Sequence, residues 1–151
     1  MNGKELAMSI VESNKYLTLA TVGEKGSPWA APIFYCLDRK TLNFYFISQL
    51  DSLHVKHLLK NPKVALAIFD SHASEGQGVG VQISGKARMM KDSELDEAFK
   101  YYHTTFIPMK KESFTGKAPY RFFKLIPEQI WVTDPEAKVD RRVEVKINTL
   151  I

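Results

Sequence analysis

The chain has 151 residues, 44% apolar and 25% charged, with one cysteine and a net charge of +4. This balance fits one globular domain, 1–151, and excludes a disordered or fibrous chain. The lone Cys36 excludes an intramolecular disulfide, and no apolar run approaches the ~20 residues that span a bilayer. The opening residues MNGKELAMSIVESN lack the basic flank and apolar run of a secretory leader, so a cytoplasmic protein without membrane contact is expected.

Taken in chain order, Gly3 to Asn14 places Leu6, Ile10 and Val11 on one helical face. Lys15 to Val22 and Pro28 to Leu37 then read as strands joined by the turn GEKG, and Thr41 to Ile47 as a third. Asp51 or Ser52 can cap a helix whose apolar stripe is Val55, Leu58 and Leu59, and Pro62 ends it. Lys63 to Phe69 is a buried strand, and Val79 to Met90 a long one that Gly85 allows to bend. Lys91 to Thr105 reads as helix behind an Asp92 or Ser93 cap. The segments RFFKLI, EQIWVTD and RRVEVKI give two or three further strands. The predicted class is α+β, with six to eight mostly antiparallel strands forming a small closed or split barrel flanked by helices.

Few residues carry obvious chemistry. His54 and His57 share a helix, but a metal site needs three or four converging ligands, and no HExxH or CxxC supplies them. No metal is therefore expected. Cys36 lies in an apolar strand without an adjacent base and reads as a packed thiol. The aromatic residues sit at strand positions that build a core, so nucleic acid is not an expected partner. Anion binding fares better. Ser52 and His54 lie at a helix start, where unpaired N–H groups and the dipole favour negative charge, although Ser52 as a simple cap and His54 as a solvent-facing residue is the commoner arrangement.

The order of these pieces resembles a known family. The run ATVGEKGSPWAAPIFY…LNFYFISQLDSLHVKHLLKNPKVALAIF is similar to the flavin-binding half of the pyridoxamine 5′-phosphate oxidase-like proteins. Ala20-Thr21-Val22, Gly26, Pro28, Ser48, Ser52, Asn61, Pro62 and Val64 fall in register, and Trp131 precedes Asp140-Arg141 at matching spacing. Short bacterial members share the stretch Tyr102 to Pro108 and the ending Arg121 to Asp134. The resemblance implies the FMN-binding split-barrel fold and a homodimer holding FMN between its subunits. Ile47 and Ser48 would lie against the flavin, and Ser52 with His54 would hold its phosphate. Trp131 and Arg141, from the other subunit, would close the slot. The strand Trp29 to Phe34, including Ala31 and Ile33, would form a wall, and Gln82 would face the ring.

The departures from the family pattern narrow the activity. Ala31 replaces a phosphate-binding Arg, Cys36 a Lys, and His54 a Lys, while Gly80 stands where the oxidases carry the Gln for which Gln82 would substitute. The Arg-x-Arg-x-Ser that reads the vitamin B6 phosphate is missing, and Ala137 and Val139 replace the Arg-x-His before Asp-Arg. A phosphorylated substrate would have little to pair with. The expectation is an FMN-dependent oxidoreductase using NADH or NADPH on a small substrate other than a B6 vitamer, with no catalytic residue assigned. The alternative is a non-catalytic module that binds or senses flavin or haem.

Overall fold

A computed structural model describes residues 1–150. Eight strands run β1 (Tyr16–Val22), β2 (Pro28–Phe34), β3 (Cys36–Leu37), β4 (Phe44–Gln49), β5 (Lys63–Phe69), β6 (Gly80–Met89), β7 (Tyr120–Thr133) and β8 (Arg142–Val145). Three helices, α1 (Gly3–Ser13), α2 (Leu53–Lys60) and α3 (Leu95–Tyr101), flank them. The strand order is β2-β1-β5-β6-β7-β4-β3, with β8 added to β7, and every pairing is antiparallel. The edge strands β2 and β3 are separated in the chain only by Tyr35, so the sheet curls back on itself into the split barrel the sequence suggested.

The alternation of side chains explains the curl. In β1, Leu17, Leu19 and Thr21 are buried while Tyr16, Thr18, Ala20 and Val22 face outward, as a two-residue period on a half-buried strand requires. The inward residues of β1, β2, β4, β5, β6 and β7 form one core, with Phe46 stacked on Phe123 at 5.3 Å between ring centroids. Helix α1 closes one end of this core with Ala7, Ile10 and Val11. Its start is fixed by a reciprocal capping box, Asn2 Oδ1 accepting from Glu5 N and Glu5 Oε2 from Asn2 N. Tyr35, at the β2–β3 corner, donates its hydroxyl to Val11 O at 2.6 Å, and this tie joins the split edge to α1.

A second apolar cluster lies on the other side of β4 and β7. Tyr45, Met90, Leu95, Ala98, Tyr102, Ile107, Phe114 and Phe122 pack there beneath α3 and the segment after it. Two charged ties fasten this layer. Arg88 on β6 makes a two-pronged contact with Glu94 at 2.8 and 2.7 Å. Glu97 on α3 accepts from both Tyr45 and Lys124 at 2.8 Å.

Three expectations change. The helix predicted for Lys91 to Thr105 is a short 3-10 turn, Asp92–Glu94, followed by α3, which ends at Tyr101. Its tail is pulled away because Tyr102 and Ile107 bury themselves in the second cluster. The strand predicted for Pro28 to Leu37 is broken at Tyr35, where the sheet turns its corner. The two segments RFFKLI and EQIWVTD form one 14-residue strand, β7, running through Pro127. Pro127 is tolerated because it faces the register shift at Ser84/Gly85, where the ladder is interrupted. Gly85 is the bend anticipated from sequence: a Cβ there would stand 2.3 Å from Ile126 O.

Candidate flavin site

Helix α2 begins where β4 ends, and this junction gathers the first group of candidate residues. Ser48 is buried on the inward side of β4, and its Oγ lies 2.8 Å from His54 Nε2 in the first turn of α2. Burial, and secondarily the neighbouring His57, hold the His54 pKa below the usual histidine value. The ring is therefore neutral at physiological pH, and one member of the Ser48–His54 pair donates to the other. Ser52 occupies the N-cap position without capping, because its Oγ donates to Gln49 O at 2.7 Å. Among the described residues, no side chain caps the first-turn N–H groups, which leaves them available to an anion.

Ile47 points to the opposite face of β4 from Ser48 and packs against the second apolar cluster. Its side chain and that of Ser48 therefore cannot line one slot; only the backbone of Ile47 is shared with that side. Ala31 and Ile33 are likewise inward-facing core residues of β2, 7% and 5% exposed. The wall expected from this strand is corrected accordingly. Ala30 and Pro32 are its outward residues, since two-residue alternation turns Ala31 and Ile33 to the barrel interior, and Trp29, on their side of the strand, is 47% exposed near its start.

His57, which the metal argument left without a role, packs into the fold. Its Nδ1 is 3.0 Å from Thr21 Oγ1, a hydroxyl that is almost wholly buried. Its Nε2 lies over Gly23 so closely that a Cβ there would be 2.6 Å away. The sequence signal was Gly23 directly after β1, which clears space for a ring from α2. Leu59 departs from the predicted stripe as well, being 52% exposed, whereas Val55 and Leu58 are buried.

The second group lies on the outer face of the sheet. Register brings Thr18, Ala67, Gln82 and Trp131 into one row across β1, β5, β6 and β7, and Ala20, Ala65, Ser84 and Gln129 into a parallel row. Together they floor an open trough of about 550 Å³, with Arg142 of β8 at its side. The three alanine methyl groups leave the floor shallow, while the indole of Trp131, 39% exposed, rises beside Gln82. A flat ring with a few polar edge atoms suits such a surface.

The two groups draw on different parts of β7. On β7, Arg121 pairs with Ser48 and Trp131 pairs with Gln82. Ten residues of strand separate these positions along β7, while α2 approaches the β1 end of the trough, where Leu53 and His57 line a cleft with Val22, two residues from Ala20. Arg141 belongs to neither group. Its guanidinium bonds Asp134 at 2.6 and 3.1 Å, and Asp134 N donates back to Arg141 O at 2.8 Å, so the pair closes the loop between β7 and β8. Arg141 holds the Asp134 carboxyl below the usual carboxylate range. Cys36 is partly buried in the second cluster, and burial raises its thiol pKa, against any nucleophilic role. Among the described residues, no three His, Cys, Asp or Glu side chains converge as a metal site, and no helix is long and apolar enough to cross a membrane.

The chain forms an antiparallel split barrel with a helix opening beside β4. The family model for pyridoxamine 5′-phosphate oxidase matches residues 4–134, and the chain belongs to that family. A UPF0306 protein from Cronobacter sakazakii is 28% identical over 94 residues, 62% of this chain and 65% of the relative. The chain thus spans just under two thirds of the length of the curated relatives it matches. Among solved structures, a haem-binding protein from Mycobacterium smegmatis superposes with a TM-score of 0.76 at 18% identity, over 99% of this chain and 60% of the other. An FAD-binding protein from Mesorhizobium loti gives 0.60 at 18% identity, over 82% and 86% of the two chains. At such identity these similarities establish the fold. Within it, the relatives include both flavin and haem binders.

Proposed function

We propose that this protein binds a flavin, FMN in the first instance, at sites shared between two copies of the chain. In each site, one copy supplies the α2 junction and the other the Trp131–Gln82 trough. The observation that carries the reading is the outer-face trough, whose alanine floor, indole wall and polar edge suit a flat heteroaromatic ring. A second copy is invoked because the resemblance to the family implies a cofactor held between subunits, a site that a symmetric pair of chains would form twice.

The residues fit the two ends of such a cofactor unequally. The trough suits the ring. The α2 junction offers backbone N–H groups and the Ser48 and Ser52 hydroxyls to a phosphate, but His54 is neutral and Arg121, opposite Ser48, spends its guanidinium on the carbonyls of Gly116, Ala118 and Tyr120. A bound flavin would supply electron transfer through its ring, and the protein would supply position, polarity and exclusion of water. We assign the chain to the FMN-dependent oxidoreductases, with NADH or NADPH as donor, and set the vitamin B6 reaction aside because Ala137 and Val139 leave a phosphorylated substrate without paired cations.

One observation favours a second reading. With the phosphate end short of cations, a planar tetrapyrrole that carries no phosphate would seat in the trough at less cost. The visible spectrum of protein purified without added cofactor separates the two, since flavin and haem absorb differently. Reduction of the bound chromophore by NADH or NADPH without oxygen then tests the enzyme assignment. A flavin that stays oxidised with both donors would count against turnover.

A further inference from the structure

The outer row of β1 does not end at the trough. Thr18, Ala20 and Val22 face the same way along the strand, and Val22 stands about 7 Å beyond Ala20. There it lines a cleft of about 440 Å³ between α2 and the turn after β1, within the roughly 300–1,000 Å³ of small-molecule sites. Val22 and Leu53, 38% and 43% exposed, form its apolar wall. The His57 ring, held by Thr21, forms another. Lys56 and Lys60 lie one turn apart on α2 and line the same cleft. Lys60 donates to Glu24 at 2.8 Å, which ties the helix to the β1–β2 turn. Lys56 has no side-chain partner among the described residues, so the cleft keeps one uncommitted ammonium.

We propose that this cleft holds the phosphate monoester at the adenosine end of a dinucleotide donor, and so selects NADPH over NADH. The proposal rests on the reading of the chain as a flavin oxidoreductase and names which nicotinamide nucleotide serves it. A donor whose nicotinamide meets a ring in the trough runs along the outer row past Ala20 and Val22 and brings its far end to Lys56. The two nucleotides differ there by one group, a phosphate dianion in NADPH and a hydroxyl in NADH. Lys56 answers that difference as a point charge, and a dianion reaching it displaces no existing ion pair. Val22 and Leu53 offer the adenine an apolar surface.

The test titrates NADP+ and NAD+ separately into the protein without flavin and follows backbone amide signals by nitrogen-15 NMR, which reads binding rather than turnover. The expected result is that NADP+ moves the signals of Val22, Gly23, Lys56 and Asn61 and binds about fivefold more tightly than NAD+ at low salt, the worth of one exposed charge pair. Lys56→Gln should abolish that preference, whereas Lys4→Gln, on α1 and outside the cleft, should keep it. Equal affinity for the two nucleotides, shifts that fall outside the cleft, or a preference that survives Lys56→Gln overturns the proposal. A separate FMN titration keeps the two readings apart. FMN bound without any response of the cleft to NADP+ overturns the proposal and leaves the flavin reading standing. NADP+ held in the cleft by protein that takes up no FMN supports the phosphate site and removes the flavin reading.

Discussion

His54 decides how well the α2 junction can hold a phosphate. Buried against Ser48, its ring resists protonation, so its folded pKa lies below 6.5. A proton taken up on phosphate binding would stabilise the complex, and FMN affinity should therefore rise as pH falls from 8 to 6 (about tenfold at most per pH unit for one proton). His54→Lys supplies the charge at every pH in that range and should flatten the profile, as fluorescence titration at several pH values would show. An unchanged slope in His54→Lys would remove His54 from the phosphate. The same group affects folding. Because the folded pKa is depressed, the unfolded chain binds more protons below 6.5, so stability present above that pH is lost as pH falls toward the folded value. Urea unfolding at pH 7 and pH 5 should show this loss, and His54→Gln should reduce it.

The helix-start pattern pointed to Ser52 and His54 and the resemblance added Ser48, and the structure brings Ser48 and His54 into contact while leaving Ser52 beside them at the helix start. The resemblance could not reveal the direction of each strand side chain beyond alternation. Ala31 and Ile33 were included because their strand is the right one, yet their parity turns them inward. Arg141 and Arg142 are adjacent, so motif spacing alone cannot tell which guanidinium meets the loop and which the trough. His57 was missed because its partner, Thr21, lies 36 residues away across the fold.

At the scale of elements, β6 and β7 carry the architecture and its most exacting positions. Gly85 faces the backbone of Ile126 at the bulge, so Gly85→Ala should destabilise the fold by about 2 kcal/mol or more through forced backbone displacement. Phe123→Ala, which removes one of two stacked and wholly buried rings, should cost about 3–5 kcal/mol in chemical denaturation. The Arg88–Glu94 contact joins β6 to the start of α3 and lowers the Glu94 pKa to about 2. With a depressed carboxyl, the stabilisation is full above about 4.5 and lost as pH falls through about 2. Glu94→Gln should cost about 1–2 kcal/mol at pH 7, less than the shift alone implies because Arg88 is 43% exposed. A denaturation midpoint that is the same in wild type and variant at pH 7 would remove this contact from the account.

Most elements were legible because apolar alternation and the helix-ending Asn61-Pro62 are local signals. The strand Lys63 to Phe69 matches β5 end to end. Where expectation and structure part, a distant contact decides. The tail of the predicted third helix is drawn into the second cluster, and Pro127 is accommodated only because Gly85 on the neighbouring strand is bulged.

For the whole molecule, we propose that the cofactor site is completed by a second copy of the chain. On this proposal the functional unit is a pair of chains, each lending its α2 junction to the other's trough. The family's fold and the residue placement support this together, and the claim has a direct measurement. One variant, Ser52→Glu, places negative charge at the α2 start. The other, Trp131→Ala with Gln82→Ala, strips the trough. Each alone should fail to hold FMN. When the two are unfolded together, refolded as a mixture and supplied with FMN, each mixed dimer regains one intact site, and flavin absorbance should return with the protein on size-exclusion chromatography. A mixture that stays colourless, while wild type treated identically binds FMN, would contradict the shared site.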